Sequence, residues 1–498
     1  MFSKDKNIQK LLETAHELSD ISSVGAILAW DQEVYMPVKG GPARAKQMAT
    51  MAGIFHDKLT SLSRTKSKSK NIYDQALVRE MNKLGDKATK IPTKLVKEIS
   101  ETASLAQQSW QMAKQKKNFE LFVPSLEKIL KLKIQAALLL KTKQQSIYDA
   151  MLDEFEPGLT EKQIDVVFSA LKPKLIELAK KLKTLTLNAD SKIKNQKYDL
   201  VAQRKFGLKI ASDMGYDLQA GRLDNSAHPF TITFSNCDVR ITTWENETDI
   251  RPSLFAIIHE SGHALYEQGV DPKLDRLQIG EGGGLGGGIG MAMHESQSRL
   301  WENIIGRSDW FWKTYYPILK KQFTQLNNVS VAQFTKAINI VKPSLVRVEA
   351  DEVTYGLHIM IRYEIERDLV AGRIKVRNLP KIWNTKYKEY LGLTPKNDAE
   401  GVLQDIHWSH GAFGYFPTYL LGTLISAQLW KKIPKTTNLR VLREWLRKNI
   451  HQYGRVYTTD ELLRKITGES LNPKYFLDYL EEKFKVMRNE TNQRLTTN

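Results

Sequence analysis

The chain has 498 residues, 74 Lys+Arg against 56 Asp+Glu for a net charge of +18, and 41% hydrophobic residues, enough to bury a large core and to exclude wholesale disorder. A single cysteine, Cys237, excludes an internal disulfide and any cysteine-based zinc site. The basic residues are spread out, and the lysine-rich stretches 64–97 and 172–197 carry no aromatic platform, zinc-finger spacing or RNP-like motif; a solvated surface is expected rather than a specific nucleic-acid site.

The N-terminus is charged, and no apolar run resembles a signal peptide or a spanning helix, so a cytoplasmic protein with no membrane partner is expected. Ile8, Leu11, Leu12, Ala15 and Leu18 then follow the spacing of one buried helix face. Residues 126–140 and 164–182 repeat that periodicity, and Pro173 is expected to kink or split the second. Breakers punctuate the chain at 36–42, 91–92 and 156–158, and residues 63–69 read as an exposed, mobile loop. One region departs from the helical period. Phe-Thr-Ile-Thr-Phe-Ser at 230–235 and Asp-Val-Arg-Ile-Thr-Thr at 238–243 alternate, with Asn236-Cys237 between them, which predicts a β-hairpin within 228–243. No repeat of 20–50 residues is present.

The chemistry follows directly. Residues 259–263 read His-Glu-Ser-Gly-His, with Pro252 suited to a helix start and Gly269 to its end. On a helix, His259 and His263 lie one turn apart on one side and can share a zinc ion, while Glu260 can serve as general base. A third ligand is required. Glu295 is the candidate and its neighbour His294 the rival; adjacent helical residues point about 100° apart, so one of the two faces the metal. Glu302, two turns on, shares the face of Glu295 and is expected to hydrogen-bond a ligand histidine. Residues 252–306 thus read as the metal-binding helices. The glycine-rich stretch 280–290 lacks the Lys-Ser/Thr of a phosphate loop and reads as a mobile connection or lid segment.

Several strings occur in a defined order: Trp30-Asp31-Gln32, His228-Pro229-Phe230, Asp238-Val239-Arg240-Ile241-Thr242, His259 to His263, His294-Glu295-Ser296-Gln297, Arg347 to Glu352, and Gly401 to Trp408. This ordered set resembles the Taq-type zinc metallocarboxypeptidases over nearly the whole chain; the glycine-rich stretch departs from the family's pattern. The resemblance implies a mainly α, two-lobed metallopeptidase of neurolysin-like and angiotensin-converting-enzyme-like architecture, with a deep groove and a small β-sheet at the active site. It implies a single catalytic unit over 1–498. It also implies a cytosolic homodimer that releases single residues from peptides with a free C-terminus, using one divalent metal, zinc first and cobalt as the alternative.

Within that frame Glu260 is the expected base. His407, His410 and Tyr415, with Tyr419 behind them, are candidates to stabilise the oxyanion. A free α-carboxylate calls for an arginine fork, for which Arg347 and Arg240 are the candidates; the strand around Arg240 could also align a peptide by strand addition. His228 is expected to line the groove. The alternatives are an endo- or dipeptidase with the same motif, and a catalytically idle peptide-binding protein, against which the intact Glu260 argues.

Overall fold

The structure, a computed structural model, describes residues 2–183, 190–277 and 288–495. The first periodic segment forms the helix Lys6–Val34. Asp5 caps it by accepting the N–H groups of Asn7 and Ile8, and Ile8, Leu11, Leu12, Ala15 and Leu18 are buried. The second forms Val123–Leu140. The third, Glu161–Lys183, runs on through Pro173 instead of splitting there. The missing N–H removes one hydrogen bond, while Leu171, Leu175, Ala179 and Leu182 keep a buried stripe on both sides of the proline. The loop at 63–69 is exposed in part but tied down. Thr65 exchanges two hydrogen bonds with Asn82, and the Ser69 hydroxyl donates to Asp74.

The predicted hairpin forms, with β2 (Thr231–Ser235) antiparallel to β3 (Asp238–Thr243) and an irregularity between Thr233 and Ser235. The alternation did not reveal β1 (Leu223–Asn225), which pairs parallel to β3. The sheet order is β1-β3-β2, so Arg240 stands on the central strand. Its backbone neighbours are already paired on both sides. Strand addition at Arg240 is therefore ruled out, and the outer edges belong to β1 and β2.

Most buried apolar side chains among the described residues form one cluster from Ile8 to Phe484, and Leu95, Leu132 and Ala136 form a small second one. Among the described residues, no helix is long and apolar enough to cross a membrane. Inside the large cluster three helices set up the chemistry. The motif helix is Arg251–Glu267, opening with Pro252 near its start, and the short helix Met291–Arg299 packs between it and Phe416–Trp430. Two glycines permit the close approach. A Cβ on Gly262 would stand 2.6 Å from the Cα of Ser298, and one on Gly422 would stand 2.7 Å from the Cβ of Glu295. No residue of its own caps the short helix by side chain; Glu156, far away in sequence, accepts the Ala292 N–H at 2.9 Å. The helix then widens into a π turn, Leu300–Ile305, where the Gly306 N–H donates to the Trp301 carbonyl five residues back, at 2.7 Å. Of the glycine-rich stretch, residues 280–287 lie outside the described residues.

Candidate active site

His259 and His263 project from one face of the motif helix toward Glu295 on the next. Their Nε2 atoms lie 3.5 and 3.2 Å from the same carboxylate oxygen of Glu295, and one ligand atom from each residue falls within 4.8 Å of the others. Two imidazole nitrogens and a carboxylate oxygen converging on a point could hold a divalent metal ion; three protein ligands of these types are what a catalytic zinc site takes. The Nδ1 atoms face away and are engaged. His259 Nδ1 lies 2.9 Å from Glu302, and His263 Nδ1 lies 2.6 Å from His294 Nδ1. His294, the rival ligand in the sequence, thus meets the far side of His263, and its own Nε2 reaches Glu267 at 2.7 Å.

A residue that the motif did not advertise organises the carboxylates. Arg299 donates to Glu295 at 2.6 Å and contacts Glu302 at 3.2 Å, with its guanidinium 3.9 Å above the Tyr355 ring. Its i+4 and i−3 spacing from Glu295 and Glu302 was present in the sequence. Burial works against the charge on Glu295, but Arg299 and the two histidines outweigh it, and its pKa is lowered. Glu302 is pulled down to about 2, burial being overcome by Arg299 and His259. Burial likewise opposes charge on His259, and Glu295 and Glu302 reverse that to raise its pKa, whereas burial dominates at His263 and lowers it to about 3. An imidazole kept neutral is the form that binds a metal.

Glu260 is buried, and desolvation raises its pKa. The Thr231 hydroxyl, at the start of β2, donates to its Oε2 at 2.6 Å. That leaves Oε1 as the oxygen with no such tie, on a carboxylate made more basic by its surroundings. Sequence reasoning passed over Thr231, although it is the second residue of the alternating stretch 230–235.

A second cluster lies where helix Tyr355–Val370 meets the segment 401–419. Asp405 accepts from Arg347 Nε at 2.8 Å and from Arg362 Nε at 2.7 Å. Gln404 accepts from the Arg347 backbone and the Arg362 side chain, at 2.9 and 2.7 Å. Arg347 also donates to the Tyr355 hydroxyl at 3.2 Å, so Tyr355 stands between this cluster and Arg299. The Nη2 of Arg347, the Nε2 of His228 and the Nδ1 of His407 are buried and have no hydrogen-bond partner among the described residues. His228 and His407 face each other with ring centroids 6.3 Å apart, and burial, reinforced by Arg347, lowers His228 to about 4. His407 Nε2 is held by the Tyr419 hydroxyl at 2.8 Å. His410 is exposed, and Tyr415 packs edge-on against Phe155 and beside His407. Arg240 is placed otherwise: it is paired with Asp238 at 2.8 and 2.7 Å and lies over the rings of Trp30 and Phe234, both 4.6 Å away.

The model of the carboxypeptidase Taq (M32) metallopeptidase family matches residues 10–484. The chain belongs to that family. It is a metallocarboxypeptidase, a hydrolase acting on peptide bonds. Thermostable carboxypeptidase 1 of Thermus thermophilus is 38% identical to it, covering 96% of this chain and 98% of that protein. Carboxypeptidase 1 of Bacillus subtilis is 36% identical, covering 96% and 97%. The crystal structure of the M32 carboxypeptidase from Deinococcus radiodurans superposes with a TM-score of 0.87 at 34% identity, over 97% of this chain and 99% of that one. The mainly helical fold with its small sheet is that of this family.

Proposed function

We propose that His259, His263 and Glu295 hold one divalent cation, zinc first and cobalt as the alternative, and that this metallocarboxypeptidase uses it to release single C-terminal residues from peptides. The observation carrying the reading is the convergence of two imidazole nitrogens on one Glu295 oxygen while the opposite nitrogens are already engaged. When bound, the ion supplies Lewis acidity to the attacking water and the scissile carbonyl. Glu260 takes the proton of that water at Oε1, while Thr231 fixes Oε2, and then delivers it to the leaving nitrogen. His410 and Tyr415, with His407 and Tyr419 behind them, supply donors to the oxyanion.

Arg347 anchors the substrate α-carboxylate. Supporting this are its unpartnered Nη2 and the two unpartnered histidine nitrogens of the same cluster: buried donors and acceptors left open are costly unless a ligand completes them. His228 lines that pocket. Arg240, already paired with Asp238, is assigned to the structure of the sheet. The whole chain works as one unit, in the cytoplasm and as a homodimer, as its family resemblance implies; sedimentation at micromolar concentration checks the last point.

Mass spectrometry tests the activity. A peptide with a free C-terminus should yield a ladder of single-residue losses, and its amidated counterpart should stay intact; cleavage of the amidated peptide would overturn the anchor. Glu260→Gln should retain one metal per chain and lose roughly 10²–10⁴-fold in kcat/KM. Retained turnover would remove Glu260 as the base.

A further inference from the structure

The two histidines of the motif are supported in different ways. His259 meets a carboxylate directly, through Glu302. His263 meets a second imidazole, and only that imidazole meets a carboxylate, Glu267, which is buried at the end of the same helix as His263. The geometry fixes the protons along this line. A metal on His263 Nε2 needs the lone pair there, so the hydrogen of His263 sits on Nδ1. His294 Nδ1, 2.6 Å away, must then accept, which puts the hydrogen of His294 on Nε2, where Glu267 accepts it at 2.7 Å. Any other arrangement of two neutral rings either places a hydrogen at the metal position or sets two N–H groups against each other across 2.6 Å.

The rings along this line also lie nearly parallel. His263 and His294 lie 4.6 Å apart at 22°, His294 and Tyr266 5.2 Å at 24°, and Tyr266 and His451 4.9 Å at 29°. His451 is in turn fixed by Gln297, three residues after His294, at 3.0 Å. Glu267 is shared as well, since the Gly288 N–H donates to the same Oε1 at 3.3 Å. The line of hydrogen bonds therefore ends at the last described glycines of the glycine-rich stretch.

We propose that His294 and Glu267 are positioning residues that lock His263 in the tautomer and orientation required for binding the metal through Nε2. This rests on the reading of His259, His263 and Glu295 as the ligands. The role is exerted through His263 and needs no contact with substrate. It predicts that an acceptor at the place of His294 Nδ1 matters more than a ring to stack on.

The test compares zinc affinity, measured by competition with a chromophoric chelator, across the wild type, His294→Phe, His294→Asn and Glu267→Gln. His294→Phe keeps a ring and removes the acceptor; His294→Asn keeps an acceptor near Nδ1 and removes the ring. The phenylalanine variant should bind zinc roughly 10–100-fold more weakly, Glu267→Gln less so, and the asparagine variant should recover most of the loss. Equal affinity of His294→Phe and wild type overturns the proposal, as does an equal loss in the Phe and Asn variants. Should the variants fail to fold, imidazole ¹⁵N spectra of the zinc-loaded wild type decide: Nδ1–H on His263 with Nε2–H on His294 supports it, and zinc on His263 Nδ1 overturns it. A wild type that binds no zinc would sink the ligand assignment itself, a different outcome from a variant series that binds alike.

Discussion

The metal end and the arginine end of this site are built on opposite principles. At the metal end, Glu295, Glu302 and the two Nδ1 atoms all have partners within the chain. At the arginine end, Asp405 and Gln404 satisfy most of Arg347, yet one of its nitrogens and a nitrogen on each of His228 and His407 have no partner among the described residues. The first is a finished framework aimed at a point; the second is a framework with three nitrogens open. Under the proposed function, the α-carboxylate of a substrate would meet the open nitrogen of Arg347.

The sharpest way to break the contrast is to take Asp405 away. Asp405→Asn leaves two buried guanidiniums without their shared counter-charge and should cost about 3–5 kcal/mol in denaturant unfolding. Burial raises the Asp405 pKa, but Arg347 and Arg362 outweigh it and hold the carboxyl well below the ordinary carboxylate range. A depressed folded pKa gives stability that is complete above the unfolded value, about pH 4, and is lost on acidification through the folded one. The gap between wild type and Asp405→Asn should therefore be full at neutral pH and narrow below about pH 4. A gap independent of pH would mean that the ion pairs contribute little.

Next in size is the anchor. Arg347→Ala should raise KM for free-carboxylate peptides roughly 10- to 150-fold, the loss of about 1.5–3 kcal/mol of charge-assisted bonding, with a smaller change in kcat. Unchanged kinetics would move the anchor elsewhere. At the metal end, Gly262→Ala drives a methyl group toward the backbone of Ser298 and should destabilise by about 1–3 kcal/mol while weakening metal retention, because it displaces the helix carrying Glu295. The smallest effect sharpens the comparison from outside: Arg240→Ala removes a partly exposed pair with Asp238 and should cost no more than about 1 kcal/mol, with KM unaltered.

The two ends were also unequally legible. The i, i+4 histidines and the 295/302 carboxylates follow from helical geometry, so spacing alone placed them together. Arg347, Arg362 and Asp405 come from three separate segments, and no local period links them. Arg347 was reached only through an ordered motif, and Arg362 was not reached at all. Thr231 was hidden because a strand pattern tells which face is apolar, not which hydroxyl touches Glu260. β1, at three residues, is too short to show an alternation. At Pro173 the split, one of the two expected outcomes, does not occur, and the apolar stripe around it carries the helix through.

The π turn at Leu300–Ile305 carries one more consequence. Because its hydrogen bonds reach back five residues, it brings Arg307 round to Glu302, whose carboxylate it meets at 3.2 Å, while the same carboxylate braces His259. Deleting a single residue there would turn six residues at roughly 80° each into five at about 100° each, so the wide turn would close while the segment beyond it kept nearly the same orientation. Loss of one residue here should thus be absorbed better than loss of one from Met291–Arg299, where no wide turn takes up the difference and the segment beyond would swing by about 100°.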